Sequence, residues 1–213
     1  MTEPWTFGVE PLVQTTELTG LLRRVAGLAT SLETEEACVT KLVAALRDAE
    51  RELAEVTPSD PCPRLGADAH NEQRVYIDHA RDVGAFNPAF PEYSIVVAGS
   101  QAHGEVEFPL AFEGPPGLVH GGVLATFFDC VVQHHNCDVG VAGKTTSMLV
   151  EYRRPTPLLR PLRFVIDRQV ADTRITSRAE LFADDALLCS ATVSAVAGNR
   201  DALPVVSPRR TTR

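Results

Sequence analysis

The stretch GPPGLVHGGVLATFFD, residues 114–129, joins a loop rich in glycine and proline to a run of apolar residues that contains one carboxylate. Glycine and proline interrupt regular structure, so the first half of the stretch predicts a loop. The apolar residues from Val123 to Val132 would cover most of the circumference of a helix, which is typical of a helix buried on nearly all sides. The sequence therefore predicts a buried helix that begins near Gly121.

One narrow stripe of this predicted helix is polar. Gly122, Thr126, Asp129 and Gln133 recur at three- and four-residue steps and so share a face. A carboxylate in an apolar segment is costly to bury unless it is paired or protonated. Asp129 is therefore either satisfied by a neighbouring hydroxyl or amide, or it is a reactive group, and the helix pattern alone leaves both interpretations open.

The two glycines at the start of the predicted helix favour a reactive group. A helix N-terminus offers unpaired N–H groups and the positive end of a dipole. Gly121 and Gly122 would let a substrate approach those N–H groups without a side chain in the way. Such donors suit a carbonyl oxygen that gains negative charge, and together with a carboxylate base they indicate acyl transfer to water. The alternative is that the glycines serve only a tight turn.

The rest of the chain after Tyr93 predicts strands. Apolar and polar residues alternate in its last two runs, as in antiparallel strands with one covered face, and Ala183 to Asp185 suits a hairpin turn between them. The predicted strands are residues 93–99, 103–110, 145–154, 163–171, 174–182 and 186–197. Two strands, one helix and four further strands predict an α+β domain in which an antiparallel sheet surrounds one helix.

The N-terminal part follows a helical pattern instead. Apolar residues repeat at three- and four-residue steps over residues 16–56, with a break near Ser31 to Thr34, which predicts two amphipathic helices. We interpret them as a packing or dimerisation appendage, with a lid over a ligand as the alternative. The predicted organisation is helices and the start of a proline-rich linker in residues 1–60, the main domain in residues 61–200, and a flexible tail in residues 201–213.

Composition narrows the possible partners. The net charge of -8 argues against nucleic acid and against an anionic membrane surface. The five cysteines have no regular spacing, and the first residues have neither the basic nor the apolar region of a signal peptide. No apolar run approaches the length of a membrane span. We therefore expect a cytoplasmic protein without disulfides.

These motifs together resemble a known family. His-Gly-Gly at residues 120–122, an aspartate nine residues after the histidine, and YRRPTPL at residues 152–158 are similar to the hotdog-fold acyl-CoA thioesterases of the phenylacetate-degradation type. The resemblance covers residues 86–197 and implies a hotdog fold, in which the sheet wraps the buried helix. It also implies a homo-oligomer, dimer or tetramer, with active sites between subunits, an acyl-CoA substrate and no cofactor.

The resemblance further implies roles for individual residues. The N–H of Gly121 would polarise the thioester carbonyl, and Asp129 of the partner subunit would act as nucleophile or as general base. His120 would shape the loop and contact the thioester, while the hydroxyl of Thr145 would orient the carboxylate or the water. Many relatives carry an amide side chain six residues before the histidine, and here that position is Gly114.

Substrate binding would fall to four further positions, which are Gly122, Thr146, Arg153 and Arg154. The two arginines lie where basic side chains would meet coenzyme A phosphates, but next to Pro155 they equally suit a solvated face.

Three other functions remain as alternatives. Cys130, His134, His135 and Cys137 could bind a metal, but no second ligand pair with zinc-site spacing exists, so we expect no metal and place the histidines at the polar end of the helix. A hotdog hydratase would pair an aspartate with a histidine five residues later, a spacing that Asp129 and His134 share. A non-catalytic acyl-CoA-binding protein would use the N-terminal helices to report occupancy.

Overall fold

A computed structural model describes residues 12–57, 83–139 and 143–197. The helices in chain order are α1 (Val13–Thr30), α2 (Ala37–Val56), α3 (Val83–Phe86) and α4 (Gly121–Asp138), with a 3-10 turn at Leu110–Phe112 before α4. The strands are β1 (Tyr93–Ala98), β2 (Gln101–Glu107), β3 (Gly143–Tyr152), β4 (Pro161–Ala171), β5 (Arg174–Ala183) and β6 (Ala186–Ala197).

The described strands form one sheet in the order β1-β2-β4-β5-β6-β3, and every neighbouring pair is antiparallel. Helix α4 lies between β2 and β3 in the chain and packs on β3, β5 and β6. The hairpin of β5 and β6 turns at Asp184, whose φ of 50° is the left-handed conformation that such a turn needs. The predicted α+β architecture, with a sheet around one helix, is confirmed.

The core lies between α4 and the inner face of the sheet. Phe127 and Phe128 of the helix are fully buried, and Phe127 meets Phe164 of β4 edge-on with ring centroids 5.3 Å apart. The inward residues of β5 are Ile175, Ser177, Ala179 and Leu181, which is the face that the alternation predicts. An antiparallel sheet with one covered face thus follows directly from the period of its strands.

The two N-terminal helices differ in how they meet this domain. Helix α1 packs on α3 and on the 3-10 turn, whereas α2 buries none of its residues against the described part of the chain. The break between them, residues 31–36, lies where the sequence predicts it. The predicted linker after Thr57 and the predicted tail of residues 201–213 lie outside the described residues. The domain boundaries therefore remain predictions.

Two short elements escaped the sequence analysis. Helix α3 and the 3-10 turn are too short to show a helical period, and their backbones are set by the parts of the chain they contact. None of the described helices is long and apolar enough to cross a membrane.

Candidate active site

The loop before α4 is held by backbone hydrogen bonds where it enters the helix. The N–H of His120 donates to the carbonyl of Phe112, and the N–H of Val119 donates to that of Thr156. Within the loop, the N–H of Gly117 donates to the Glu113 carboxylate at 2.6 Å, and a φ of 76° at Gly117 makes the turn. The start of α4 is therefore fixed by its surroundings, as the glycine and proline content predicts.

His120 caps the helix that it precedes. Its Nδ1 accepts the N–H of Gly122 at 3.0 Å, so in a neutral ring Nε2 carries the proton and can donate. The N–H of Val123 donates to the His120 carbonyl. The N–H of Gly121 has no acceptor within the described residues, which leaves one backbone donor available at the positive end of the helix dipole.

Asp129 is held by the strand that follows the helix. It is half-buried, and the hydroxyl of Thr145 donates to its Oδ1 at 2.7 Å. A β-bulge lies at this point, because Thr145 pairs with Ala195 while Ser147 pairs with Ser194. A bulge changes the direction of the side chains beside it, and here it accompanies the contact of Thr145 with the helix.

The structure does not bring Gly121 and Asp129 together within one chain. They are eight residues apart on the same helix, which at 1.5 Å per residue separates their backbones by about 12 Å. A donor to a carbonyl oxygen and a base that serves the same carbonyl must both lie about 3 Å from the reacting atoms. A single chain therefore holds the two predicted groups in two separate places.

Tyr152 lies at the candidate site and was not among the residues that the sequence predicted there. Its hydroxyl donates to the carbonyl of Gly121 at 2.8 Å, and a Cβ at Gly121 would lie 3.4 Å from its ring. Tyr152 thus lies beside the first residue of α4 and tethers it to the end of β3. Only the motif YRRPTPL pointed to this part of the chain, and it drew attention to the arginines instead.

An apolar hollow of about 300 Å³ opens beside the helix N-terminus. Helix α4 and the segment before β1 line it together, through Ala89, Phe90, Pro91, His120, Gly122, Val123 and Thr126. The sequence pattern indicated no role for the segment from Ala89 to Pro91. Its contribution depends on tertiary packing, because Phe90 is buried against Phe127 of the helix.

Gly114 has no room for the amide side chain that many relatives carry there. A Cβ at this position would lie 2.8 Å from Cα of His120, closer than packed carbon atoms approach. The N–H of Gly114 donates to the carbonyl of Leu118 and so closes the loop tightly. The conformation of this loop therefore excludes a side chain at residue 114.

The remaining predicted binding residues lie on the surface near β3. Thr146 donates to the carbonyl of Ser194 at 3.1 Å, so its hydroxyl is engaged with β6. Arg153 and Arg154 follow β3 and are exposed, and Arg153 contacts the Glu151 carboxylate at 3.2 Å. None of these three residues contacts Asp129 or Gly121 among the hydrogen bonds of the described residues.

The two histidines near the end of α4 are buried, which corrects the prediction that they form its polar, cationic end. His134 is hydrogen-bonded to the Tyr93 hydroxyl at 2.6 Å, and Nε2 of His135 donates to the Gly99 carbonyl at 2.8 Å. Burial lowers the pKa of His135, and the positive charge of Arg168 lowers it further. Among the described residues, no three His, Cys, Asp or Glu side chains lie close enough together to hold a metal ion.

Comparison with known proteins supports the fold and the class of protein. No family model matches the chain. A crystal structure described as that of a thioesterase superfamily protein matches with a TM-score of 0.73 and 26% identity. The match covers 91% of this chain and 96% of the other, so it extends beyond the sheet and α4 into the N-terminal half. This similarity confirms the predicted resemblance to the thioesterase superfamily and its hotdog fold.

Two smaller solved proteins each match about half of the chain. A hypothetical thioesterase from Streptococcus pneumoniae, crystallised with coenzyme A, is 19% identical with a TM-score of 0.48, over 51% of this chain and 91% of its own. A putative, phenylacetic acid degradation-related thioesterase from Ralstonia eutropha is 20% identical with a TM-score of 0.44, over 49% of this chain and 83% of its own.

Proposed function

We propose that this protein is an acyl-CoA thioesterase, which hydrolyses the thioester to a free acid and coenzyme A. The observation that carries the proposal is the N–H of Gly121, which has no acceptor in the described chain and lies beside an apolar hollow. A carbonyl oxygen that becomes negative in the transition state is what such a donor stabilises, typically by about 2.7–4 kcal/mol. The similarity to a thioesterase superfamily protein supports the same conclusion.

In this mechanism the Gly121 N–H binds the thioester oxygen, and Asp129 acts as general base on water or as the nucleophile. In the general-base form, water attacks the carbonyl carbon while the carboxylate accepts its proton. The C–S bond then breaks, and the proton passes to the departing thiolate. Nε2 of His120, which faces away from the helix cap, is available to donate to the bound thioester.

We propose that two subunits complete each site. Thr145 and Tyr152 lie near opposite ends of β3, and β3 is an edge strand of the sheet with Leu149 63% exposed. If β3 pairs with its copy about a two-fold axis between Met148 and Leu149, Thr145 of the partner subunit lies opposite Tyr152. Asp129 of the partner subunit, bonded to that threonine, then approaches Gly121, bonded to this tyrosine.

The hollow beside His120 is proposed to hold the acyl group. Its lining is mostly apolar, and it is adjacent to the open N–H of Gly121, so an apolar acyl chain there would present its carbonyl to the donor. Arg153 and Arg154 remain proposed contacts for the phosphates of coenzyme A, and Gly122 and Thr146 remain proposed binding positions. Both arginines are exposed and positively charged, as binding to phosphate requires.

The test is a hydrolysis screen over short, long and aromatic acyl-CoAs, with release of the free thiol as the measurement. We expect turnover of at least one class, and Asp129→Asn should lower kcat by about 10²–10⁴-fold because an amide cannot accept the proton. Asp129 is half-buried, so the variant should keep the wild-type thermal stability to within about 1 kcal/mol. Full turnover in the folded variant would refute the role of Asp129.

The same samples separate the alternatives. A hydratase would add water to an enoyl-CoA and leave the thioester intact, but His134 is buried and bonded to Tyr93, which argues against its use beside Asp129. A non-catalytic binding protein would gain thermal stability with an acyl-CoA and release no thiol. Either result would replace the thioesterase proposal.

A further inference from the structure

A chain of hydrogen-bonded side chains leads from β4 through α4 to Asp129. Arg168 Nε donates to Asn136 Oδ1 at 2.7 Å, and Asn136 Nδ2 donates to Gln133 Oε1 at 3.4 Å. Gln133 Nε2 then donates to Thr145 Oγ1 at 3.1 Å. The Thr145 hydroxyl completes the chain by donating to Asp129 Oδ1 at 2.7 Å.

The direction of these hydrogen bonds is fixed at two points by groups that have a single role. A guanidinium only donates, so Asn136 must turn its oxygen to Arg168 and its NH₂ group to Gln133. The carbonyl of Gly143 only accepts, and Gln133 Nε2 donates to it at 2.9 Å. Gln133 must therefore present its NH₂ group to β3 and its oxygen to Asn136.

This direction decides what the Thr145 hydroxyl can do. A hydroxyl has one proton, and because its oxygen accepts from Gln133, that proton is directed to Asp129. Asn136 is fully buried and Gln133 is 6% exposed, and in such surroundings consecutive hydrogen bonds polarise one another. The chain has a guanidinium at one end and a carboxylate at the other.

We propose that Gln133, Asn136 and Arg168 are positioning residues for the reaction. They hold the Thr145 proton on Oδ1 of Asp129, and this leaves Oδ2, which has no partner within the described residues, to face the water or the substrate. The proposal rests on the thioesterase function proposed above. The three residues act through Thr145 and make no contact with the substrate themselves.

The kinetic test replaces Gln133 by a residue of similar size that cannot donate. Gln133→Met should lower kcat by about tenfold and leave KM within about twofold, since the hydrogen bond that directs the Thr145 proton to Asp129 is lost. In a Thr145→Val background the same change should lower kcat by less than about twofold, because the link is already broken. A full tenfold loss in both backgrounds would overturn the proposal.

His135→Met is the matched control. It also removes a buried hydrogen bond from α4, to the carbonyl of Gly99, but His135 is not one of the hydrogen-bonded residues that lead from Arg168 to Asp129. It should lower thermal stability and leave kcat within about twofold of wild type. An equal loss of kcat in both helix variants would mean that Gln133 acts only on stability, and the proposal would fail.

A crystal structure of Gln133→Met tests the series of hydrogen bonds without a measurement of turnover. The Thr145 hydroxyl should leave its contact with Asp129 Oδ1, and an unchanged contact would overturn the proposal. If the wild type hydrolyses no acyl-CoA, the thioesterase function fails and this structure still decides the inference. If Gln133→Met does not fold, Arg168→Met replaces it and should have a kcat about threefold lower than wild type. Arg163→Met, on the same strand, is its control and should keep the wild-type kcat.

Discussion

At the scale of single residues, the site depends on which backbone groups are already occupied. His120 accepts a hydrogen bond from the N–H of Gly122, and the carbonyl of Gly121 accepts one from the Tyr152 hydroxyl. The N–H of Gly121 has no acceptor among the described residues. Asp129 has one oxygen on Thr145. Each of the two groups proposed to react is therefore fixed by a neighbour on one side and free on the other, which is the preorganisation that electrostatic catalysis would need.

Tyr152→Phe tests the tether of the helix N-terminus. The ring is kept and only the hydrogen bond to the Gly121 carbonyl is lost, so we expect kcat/KM to fall by about three- to tenfold with a small loss of stability. Tyr93→Phe is the matched control, because it removes a tyrosine hydroxyl bonded to His134 near the other end of α4. Thiol release should be slower in Tyr152→Phe alone, and thermal melting should show that both variants are folded. Equal rates of thiol release in the two variants would remove Tyr152 from the proposed site.

At the scale of elements, α1 is connected to the site through the segment before β1. Arg23 of α1 is only 5% exposed and donates to the carbonyls of Gly84 and Asn87 and to the Glu92 carboxylate. That segment continues into Phe90 and Pro91, which line the hollow. Helix α1 therefore packs against the segment that forms one wall of the hollow.

Arg23→Met should loosen this wall. Two carbonyls would lose a charged donor, at a cost on the order of 3 kcal/mol in the free energy of unfolding. We also expect KM for acyl-CoA to rise, since the hollow holds the acyl group in the proposed function. Arg24→Met, an exposed arginine one position along the same helix, should change neither urea unfolding nor KM. Equal behaviour of the two variants would contradict the support by α1.

The buried His135 on α4 predicts how stability depends on pH. Burial lowers its pKa below the ordinary value of 6.5, so the unfolded chain takes up a proton at a higher pH than the folded one. The free energy of unfolding should therefore fall as the pH drops below about 6.5, by at most about 1.4 kcal/mol per pH unit from this group. His135→Gln cannot be protonated, and its urea unfolding should change less between pH 7.5 and pH 5.5. The same slope in both proteins would refute this.

At the scale of the whole molecule, both halves of the candidate site lie along β3, an edge strand of the described sheet. Thr145 of this strand contacts Asp129, and Tyr152 near its other end contacts Gly121. An unpaired edge beside an open face is a common place for subunits to join. A two-fold pair would cover the edge and assemble two sites at once.

Mixing two inactive variants tests this arrangement. Asp129→Asn and Gly121→Val should each be folded and inactive. Gly121→Val should fold because Gly121 is the first residue of a helix and a Cβ there makes only ordinary contact with Tyr152. In a mixed dimer one site would combine an intact Gly121 with an intact Asp129. Refolding the two together should restore about a quarter of wild-type turnover. No gain in a proven mixed dimer would show that each site is built within one subunit.

The sequence by itself determined the long helices and the strands of this protein. The period of two in β5 and β6, the apolar circumference of α4, and the glycines and prolines before it are local patterns, and each limits the backbone directly. The His-Gly-Gly loop and the polar stripe with Asp129 were visible for the same reason. These residues are close in the chain, so spacing alone indicates which side of the helix they share.

Only the tertiary structure decided which groups meet across the chain. Tyr152 reaches Gly121, Thr145 reaches Asp129 past a bulge, and Arg23 reaches the wall of the hollow over more than sixty residues. The histidines of α4 are buried because the sheet and Tyr93 cover them. Such contacts depend on strand order and register, which are set by the packing of the whole domain and leave no periodic trace in any one segment.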